Sequence, residues 1–337
     1  MKRRKPHPEE LRGARRLEGW GQAVHVAHAS RRALVALLSM RRVCSLSQVA
    51  GALAFALAPT AHAEPVTVSD AFGRSVTVPD PPQRIVTIFA SNTEMVAALG
   101  LADRIVGIEA FTRFPPEVAG KPLVGGRLGF SVDAVVARKP DLVVVTPARQ
   151  AANQLVDPME RLGIPIVVLL QRNVGEILSN IRLLAKVAGV PERGEALAAR
   201  LQGRLNAVER RVAGRAAPSV VMITGRLGNG LMLVTRPGTY TGDALVRAGG
   251  RLAFDSGSIA QVSPEAILNA DPDVLLFAGS DKDMKELIAR PGWRGMRAVT
   301  SKRAHAVSRA ELLIPGPRTI DGVEKLAALL HPAAAAR

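Results

Sequence analysis

The sequence predicts an α/β fold of two parallel-sheet lobes bridged by a single long helix, and three features support this prediction. Predicted strands and helices alternate along the chain, as they do when parallel sheets are covered by helices. A fifteen-residue pattern, called the phrase below, occurs twice: residues 131–145 align without a gap with residues 263–277, 132 positions later, and share a Ser, an Ala, a Pro-Asp pair and the placement of apolar residues. Between the two copies, residues 192–215 carry apolar side chains at helical spacing over more than five turns of ~3.6 residues each.

The start of the chain has the composition of a secretory signal peptide. Met40-Arg41-Arg42 is a short basic stretch, residues 43–57 are mostly apolar, and Ala61-His62-Ala63 is a small-residue cleavage signal. The apolar run is too short, and too rich in Ser, Gly and Gln, for a membrane span. We therefore predict a cleavable signal over 40–63, with cleavage near Ala63-Glu64 and export of the mature protein.

Residues 1–39 form a basic extension ahead of Met40, the natural start, and the sequence leaves open whether they are translated. The alternative is a twin-arginine signal that begins at Ser30. Residues 1–63 hold 11 Lys or Arg against 3 Asp or Glu, which is half of the net charge of +16. The other half is scattered, without a basic run or interleaved aromatics, so the charge does not indicate nucleic-acid binding.

The first lobe is assigned to 64–190. A hairpin is predicted at 66–78, where apolar residues alternate on both sides of an Asp-Ala-Phe-Gly turn. A strand at 85–88, a helix at 92–99 capped by Asn92 and a strand at 104–108 come next. The first copy of the phrase then supplies a helix and a strand. The predicted elements that complete the lobe are a helix at 153–162, a strand at 166–170 and a helix at 174–187.

The bridging helix is assigned to 191–216 and the second lobe to 217–332. The helix has one apolar face, formed by Leu197, Leu201, Leu205, Val208 and Val212. After it the alternation resumes. The predicted elements are strands at 219–224, 231–234 and 304–307, helices at 241–248, from 282 and at 319–330, and the second copy of the phrase.

In each copy of the phrase a serine caps a helix, a carboxylate stands in its first turn, and a Pro-Asp break leads into a buried strand. The serines are Ser131 and Ser263, and the carboxylates are Asp133 and Glu265. Any two helix-to-strand units of an α/β protein share part of this pattern. Coincidence is therefore the alternative to two similar lobes.

The composition also narrows the function. The only cysteine, Cys44, lies in the predicted signal, so the mature chain has none for a disulfide, a thiol nucleophile or a thiolate metal site. No nucleophile elbow, P-loop or dinucleotide-binding glycine motif occurs in the strand and helix context that it requires. We predict that the protein is not an enzyme. The remote alternative is an exported α/β enzyme that uses Glu94 and Glu109 as a carboxylate pair.

The chain resembles a known family, the periplasmic substrate-binding proteins of ABC importers for ferric siderophores, haem and cobalamin. The resemblance rests on the order and spacing of short phrases over nearly all of 64–332. These phrases are Pro82-Gln-Arg-Ile-Val86, Asn92-Thr-Glu-Met-Val-Ala-Ala-Leu-Gly100, Arg104-Ile-Val-Gly-Ile108, Phe114-Pro-Pro116, Val124-Gly125, Lys139-Pro-Asp-Leu-Val143, Ala248-Gly-Gly250, Ser263-Pro-Glu265 and Pro315-Gly-Pro-Arg318. The family fold implies a ligand cleft between the two lobes.

The resemblance further implies a periplasmic location and a partner, the permease dimer of an ABC importer in the inner membrane. In such proteins an acidic residue on each lobe docks against basic residues of the two permease subunits, and the matching positions are Asp133 and Glu265. Asp133 stands where many relatives have Glu. The alternative for both carboxylates is a contribution of ~0.3–1 kcal/mol at a helix N-terminus. We predict a monomer with no cofactor besides the metal chelate that it transports.

Candidate ligand contacts lie in the loops that the resemblance assigns to the cleft. Guanidinium groups pair with the catecholate or carboxylate oxygens of an anionic chelate, and the candidates are Arg113, Arg127, Arg226 and Arg309. Aromatic rings that suit a flat ligand are Phe111, Phe114 and Phe130. Each arginine alone is also compatible with a solvated surface role. Together they favour a ferric siderophore over neutral cobalamin.

Haem is the other alternative within the family. Haem binders of this family often have a tyrosine shortly before the first copy of the phrase, where this chain has Gly126. Tyr240 or His305 would then have to ligate the iron, although their local sequence favours a packing role and a strand position. Capture of a bare metal ion needs several converging ligands, and His305 and His331 are the only histidines after residue 63. A structural protein without a ligand is the remaining alternative.

Overall fold

A computed structural model describes residues 64–126, 129–147, 151–255 and 260–332. In these residues, two six-stranded sheets flanked by helices follow one another along the chain, and a two-stranded hairpin precedes the first sheet. The predicted signal peptide and basic extension lie outside the described residues. Of the helices in the described ranges, none is long and apolar enough to cross a membrane.

The first lobe begins with the hairpin and is built on one sheet. Its strands are β1 (Val66–Ser69), β2 (Ser75–Val78), β3 (Ile85–Thr87), β4 (Ile105–Glu109), β5 (Leu123–Gly126), β6 (Gly129–Phe130), β7 (Leu142–Val145) and β8 (Ile166–Val168). Its helices are α1 (Ala90–Ala98), α2 (Val132–Val136), α3 (Ala151–Arg161) and α4 (Val174–Val187). The sheet order is β6-β5-β4-β3-β7-β8, and every pair is parallel except β5 with β6.

The long helix α5 (Pro191–Val212) separates the two sheets in the chain. The second lobe has strands β9 (Ser219–Arg226), β10 (Met232–Val234), β11 (Arg251–Leu252), β12 (Gln261–Val262), β13 (Val274–Ala278) and β14 (Ala304–Val307). Its helices are α6 (Tyr240–Arg247), α7 (Pro264–Ala270), α8 (Asp281–Ile288), α9 (Arg297–Thr300), α10 (Arg309–Leu312) and α11 (Thr319–Leu330). Strands β9, β11, β13 and β14 pair in parallel, whereas β10 and β12 pair antiparallel at one edge.

The predicted α/β fold with two parallel-sheet lobes is confirmed. At the sheet edges, β10 coincides with the strand predicted at 231–234, whereas β6 and β12 have two residues each and are too short to show a period of two. One local expectation, the cap of α1, is wrong. Helix α1 starts at Ala90 rather than after Asn92. Asn92 is fully buried and donates from Nδ2 to the carbonyl oxygen of Ile88 at 2.6 Å, so it braces the strand end instead of capping the helix.

One continuous apolar cluster joins the lobes through α5. It contains residues of the first sheet such as Ile85, of α5 such as Leu201, and of the second sheet such as Val220. Gly194 allows α5 to lie directly on α4, because a Cβ atom there would stand 2.2 Å from the Cβ of Ala185. The opposite face of each sheet packs in a cluster of its own.

Candidate functional site

A cavity of about 760 Å³ lies between the two lobes. Its walls come from the segments that follow β3 and β4 in the first lobe and β14 in the second. The crevice beyond the carboxyl ends of parallel strands is where α/β sheets bind ligands. The lining residues are Phe89, Ala90, Ser91, Glu94, Glu109, Phe111, Arg113, Phe114, Arg309, Ala310, Leu313, Ile314, Pro315 and Arg318. We call this cavity the cleft.

Phenylalanine rings cover the first-lobe wall of the cleft. Phe111 and Phe114 are 44% and 40% exposed and both line the cleft, so their rings give it an apolar surface. Phe89 has φ 78° and ψ 139°, a conformation that residues other than glycine rarely adopt. Its ring lies 5.8 Å from that of Phe130, at an interplanar angle of 52°. Strained residues of this kind occur at ligand sites, where the surrounding structure holds them.

Arg113 and Arg309 are fixed from opposite walls by backbone carbonyl groups. Arg113 Nη1 donates to the carbonyl oxygens of Ala110 at 2.6 Å and Thr112 at 3.0 Å. Arg309 Nη1 donates to those of Thr224 at 3.1 Å and Ala278 at 3.2 Å, at the ends of β9 and β13. Carbonyl partners hold each guanidinium group without neutralising its charge. The two arginines therefore bring positive charge to the cleft.

A third arginine, Arg318, joins the two lobes through Glu94 of α1. Arg318 Nη2 donates to Glu94 Oε1 at 2.5 Å, and Nε donates to Oε2 at 2.9 Å. The Arg318 guanidinium carbon stands 4.0 Å from the centroid of the Phe114 ring. Burial raises the pKa of Glu94 from its ordinary value, and the hydrogen bonds and charge of Arg318 oppose this rise. On the far side of these residues is a second cavity of about 430 Å³, which Glu94, Phe114 and Arg318 also line.

The other predicted ligand contacts lie elsewhere. Arg226 is at the carboxyl end of β9, where it pairs with Asp283 at 3.3 Å and covers the Phe277 ring at 5.2 Å. It stands at the same sheet edge as the cleft without lining it. Tyr240 begins α6 away from the lining residues, and burial raises the pKa of its hydroxyl. Arg127 falls outside the described residues.

Gly126 and His305 are two positions that bear on haem binding. A Cβ atom at Gly126 would lie 3.1 Å from the Cβ of Ala110, which is tight for any larger side chain. His305 is half-buried in β14, and burial together with the charge of Arg303 lowers its pKa. In the described ranges no cluster of three or more His, Cys, Asp and Glu side chains could hold a metal ion.

Asp133 and Glu265 occupy equivalent places in the two lobes. Each stands exposed in the first turn of a short helix, α2 or α7, directly after an antiparallel edge strand. Ser131 Oγ accepts from the backbone N–H of Ala134 at 3.1 Å, and Ser263 Oγ accepts from that of Ala266 at 3.2 Å. Hydrogen bonds from its own backbone N–H and from Ser263 lower the pKa of Glu265. The predicted serine caps are confirmed in both copies of the phrase.

Sequence reasoning missed Phe89, Glu94, Glu109 and Arg318 as members of the cleft. Arg318 ends one of the phrases that carry the family resemblance, which is the signal that could have identified it. Glu94 and Glu109 drew attention only as an enzyme's carboxylate pair. Phe89 follows a predicted strand, and no sequence pattern marks its backbone conformation.

Comparison with known proteins agrees with this architecture. The sequence profile of the periplasmic binding protein family matches residues 85–306. An uncharacterized ABC transporter substrate-binding lipoprotein of Bacillus subtilis is 27% identical over 274 residues, which cover 80% of this chain and 86% of that protein. A vitamin B12-binding protein of Vibrio campbellii is 26% identical over 197 residues, 58% of this chain and 70% of its own. The crystal structure of a periplasmic heme-binding protein from Pseudomonas aeruginosa superposes with a TM-score of 0.66 at 28% identity, over 75% of this chain and 94% of that one.

Proposed function

Because this chain belongs to the periplasmic binding protein family, we propose that it is the solute-binding component of an ABC importer and carries a metal chelate to an inner-membrane permease. The protein is not an enzyme, since the family and the matched relatives are substrate-binding transport proteins. The relatives named for vitamin B12 and heme bind metals that organic ligands already hold. A chelate of that kind is the solute class proposed for this cleft.

The cleft arginines are the observation that carries the ligand chemistry. Within the described residues, Arg113 and Arg309 use only Nη1 in hydrogen bonds, which leaves Nε and Nη2 of each for a ligand. Guanidinium forks suit planar anions such as catecholates and carboxylates, and the exposed rings of Phe111 and Phe114 suit an aromatic surface. An acidic ferric siderophore combines both features.

Haem and cobalamin are the alternatives. A haem iron takes an axial ligand from His, Tyr, Cys or Met side chains, and the described residues that line the cleft include none of these types. The cleft therefore suits a metal that is fully coordinated by its own chelator. The positive charge then favours a siderophore over neutral cobalamin.

Asp133 and Glu265 are the proposed contacts with the permease. Their exposed carboxylates stand once on each lobe at equivalent places, which matches a partner made of two subunits. Rim charges of this kind favour rapid and reversible docking. We further propose export to the periplasm through the signal at 40–63 and action as a monomer.

The first experiment identifies the ligand that co-purifies with the protein from the native periplasm, by absorption and mass spectrometry. A ligand-to-iron charge-transfer band is expected, whereas a Soret band or a corrin spectrum would replace the siderophore by haem or cobalamin. In titrations with a ferric tris-catecholate, Arg113→Ala and Arg309→Ala should each weaken binding at least about tenfold. Arg172→Ala is the matched control, because Arg172 is 66% exposed and pairs with Glu176 outside the cleft. Unchanged affinity in both cleft variants, or turnover of the chelate, would overturn the proposal.

A further inference from the structure

We propose that Glu94 and Arg318 are positioning residues, whose ion pair clamps the two lobes at a fixed spacing and holds Phe114 against the cleft. Glu94, Phe114 and Arg318 are called the inter-lobe clamp below. Only its effect on ligand affinity rests on the proposed function. Its effect on lobe spacing concerns the protein alone.

The ion pair lies at the boundary between the lobes. Glu94 belongs to α1 of the first lobe, and Arg318 directly precedes α11 of the second, 224 positions along the chain. Both carboxylate oxygens accept a hydrogen bond from the same guanidinium group, and the Glu94 side chain is only 1% exposed. Separating the lobes here would break both of these charge-assisted hydrogen bonds, which are among the stronger hydrogen bonds in proteins.

Backbone packing brings the two lobes together at the same place. Gly316 is buried against α1, where a Cβ atom would lie 3.3 Å from Glu94 Oε2 and 3.8 Å from the carbonyl oxygen of Ser91. A glycine permits this approach of the segment before α11. Arg318 therefore reaches Glu94 from a backbone that is already in contact with the first lobe.

Phe114 connects the ion pair with the ligand-binding surface. Its ring lies on the Arg318 guanidinium group at 4.0 Å, in the range of a cation–π contact. Phe114 belongs to the loop after β4, which also carries Phe111 and Arg113. Since Glu94 fixes the plane of the guanidinium group, Arg318 in turn fixes this loop. The second lobe thus sets the position of a first-lobe binding loop.

A second inter-lobe contact lies outside the cleft. Asp243 of α6 accepts a hydrogen bond from the backbone N–H of Val174 at 2.8 Å and pairs with Arg247, which also reaches Glu209 of α5. None of these residues lines the cleft. Because they do not involve Glu94, Phe114 or Arg318, we expect a clamp variant to keep its fold and to change the spacing at the cleft.

The test measures lobe separation without any ligand. Spin labels are placed on Ala137→Cys and Asn269→Cys, exposed and equivalent positions in the two copies of the phrase, in the full chain with Cys44→Ser. Distance distributions from pulsed electron resonance are compared for the parent, Glu94→Gln, Arg318→Met and the double variant. The matched control is Arg204→Met, which removes the pairs of α5 with Asp321 and Glu324 on α11 and leaves the cleft intact.

The three clamp variants should give a broader or longer distance distribution than the parent, and Arg204→Met should not. The double variant removes both charges, so its melting temperature should recover relative to Arg318→Met, whereas its distance distribution should stay altered. A ferric tris-catecholate should dissociate at least about tenfold faster from each of the three clamp variants than from the parent. Parent-like distances in all three clamp variants would overturn the clamp. A double variant whose ligand affinity recovers together with its melting temperature would also overturn it. If no chelate binds to the parent protein, the proposed function fails, and the distances between the spin labels still test the clamp.

Discussion

Arg318→Met should destabilise the protein strongly at neutral pH and only slightly in acid. The replacement keeps the length and the apolar stem of the side chain but leaves Glu94, at 1% exposure, without its charged partner. Loss of one member of a buried ion pair costs about 3–5 kcal/mol, and the 21% exposure of Arg318 indicates the lower end, about 3 kcal/mol. At about 2–4 °C per kcal/mol, the melting temperature should fall by about 6–12 °C.

The pH dependence follows from the pKa of Glu94. Burial raises this pKa in the folded protein above its ordinary value of 4.5. A protonated Glu94 therefore favours the folded state, and this contribution to stability is lost as the pH rises through the folded pKa. Arg318 opposes this rise, and its removal lifts the pKa further. The stability difference between parent and variant should therefore be largest at about pH 7–8 and shrink to about 1 kcal/mol or less at about pH 4, where Glu94 is already protonated.

Urea unfolding followed by circular dichroism over this pH range measures the difference. Arg204→Met is the control, because Arg204 pairs with carboxylates that are 37–39% exposed. Such a surface pair is expected to contribute less than about 1 kcal/mol. A deficit for Arg318→Met that is independent of pH, or no larger than that of the control, would refute the reasoning.

Three further predictions concern strain, helix packing and transport. Phe89→Gly should be more stable than Phe89→Ala by about 1–3 kcal/mol, because only glycine relieves the backbone strain; equal urea midpoints would contradict this. Gly194→Ala should cost about 1–3 kcal/mol through overpacking against α4, whereas Gly203→Ala, with open space around it in the same helix, should stabilise by about 0.5–1 kcal/mol; thermal unfolding of both variants checks the contrast. Charge reversal at Asp133 and Glu265 should abolish uptake of the chelate and leave its affinity unchanged, so continued uptake would exclude these carboxylates as the docking contacts.

Much of the fold was predictable because local patterns of apolar residues indicate its strands and helices. Runs of apolar residues, such as 142–145 and 274–277, indicated the central strands, and an apolar stripe through Leu197 and Leu205 indicated α5. The edges were harder, since β6 and β12 have two residues each and contain too few positions to show a period of two. Asn92 is a residue type that often caps helices, and it was predicted to cap α1. Its side chain instead donates a hydrogen bond to the carbonyl oxygen of Ile88, just after β3, and the helix starts at Ala90.

The cleft was predictable only in part. Phe111, Arg113, Phe114 and Arg309 were predicted because they lie in segments that the family resemblance assigns to the cleft, and all four line it. The pairing of Glu94 with Arg318 depends on two residues that are 224 positions apart, and no local pattern reports such a distance. Tyr240 and Arg226 show the converse. Their residue types suit a ligand, but Tyr240 is half-buried at a helix start and Arg226 pairs with Asp283.

The apolar cluster that runs from the first sheet through α5 to the second has a consequence for how the protein unfolds. A chain whose two halves share one interior loses and gains structure as a single cooperative unit. Damage to either half therefore exposes the apolar surface of both. Forms in which only one lobe is folded are disfavoured by the same interior.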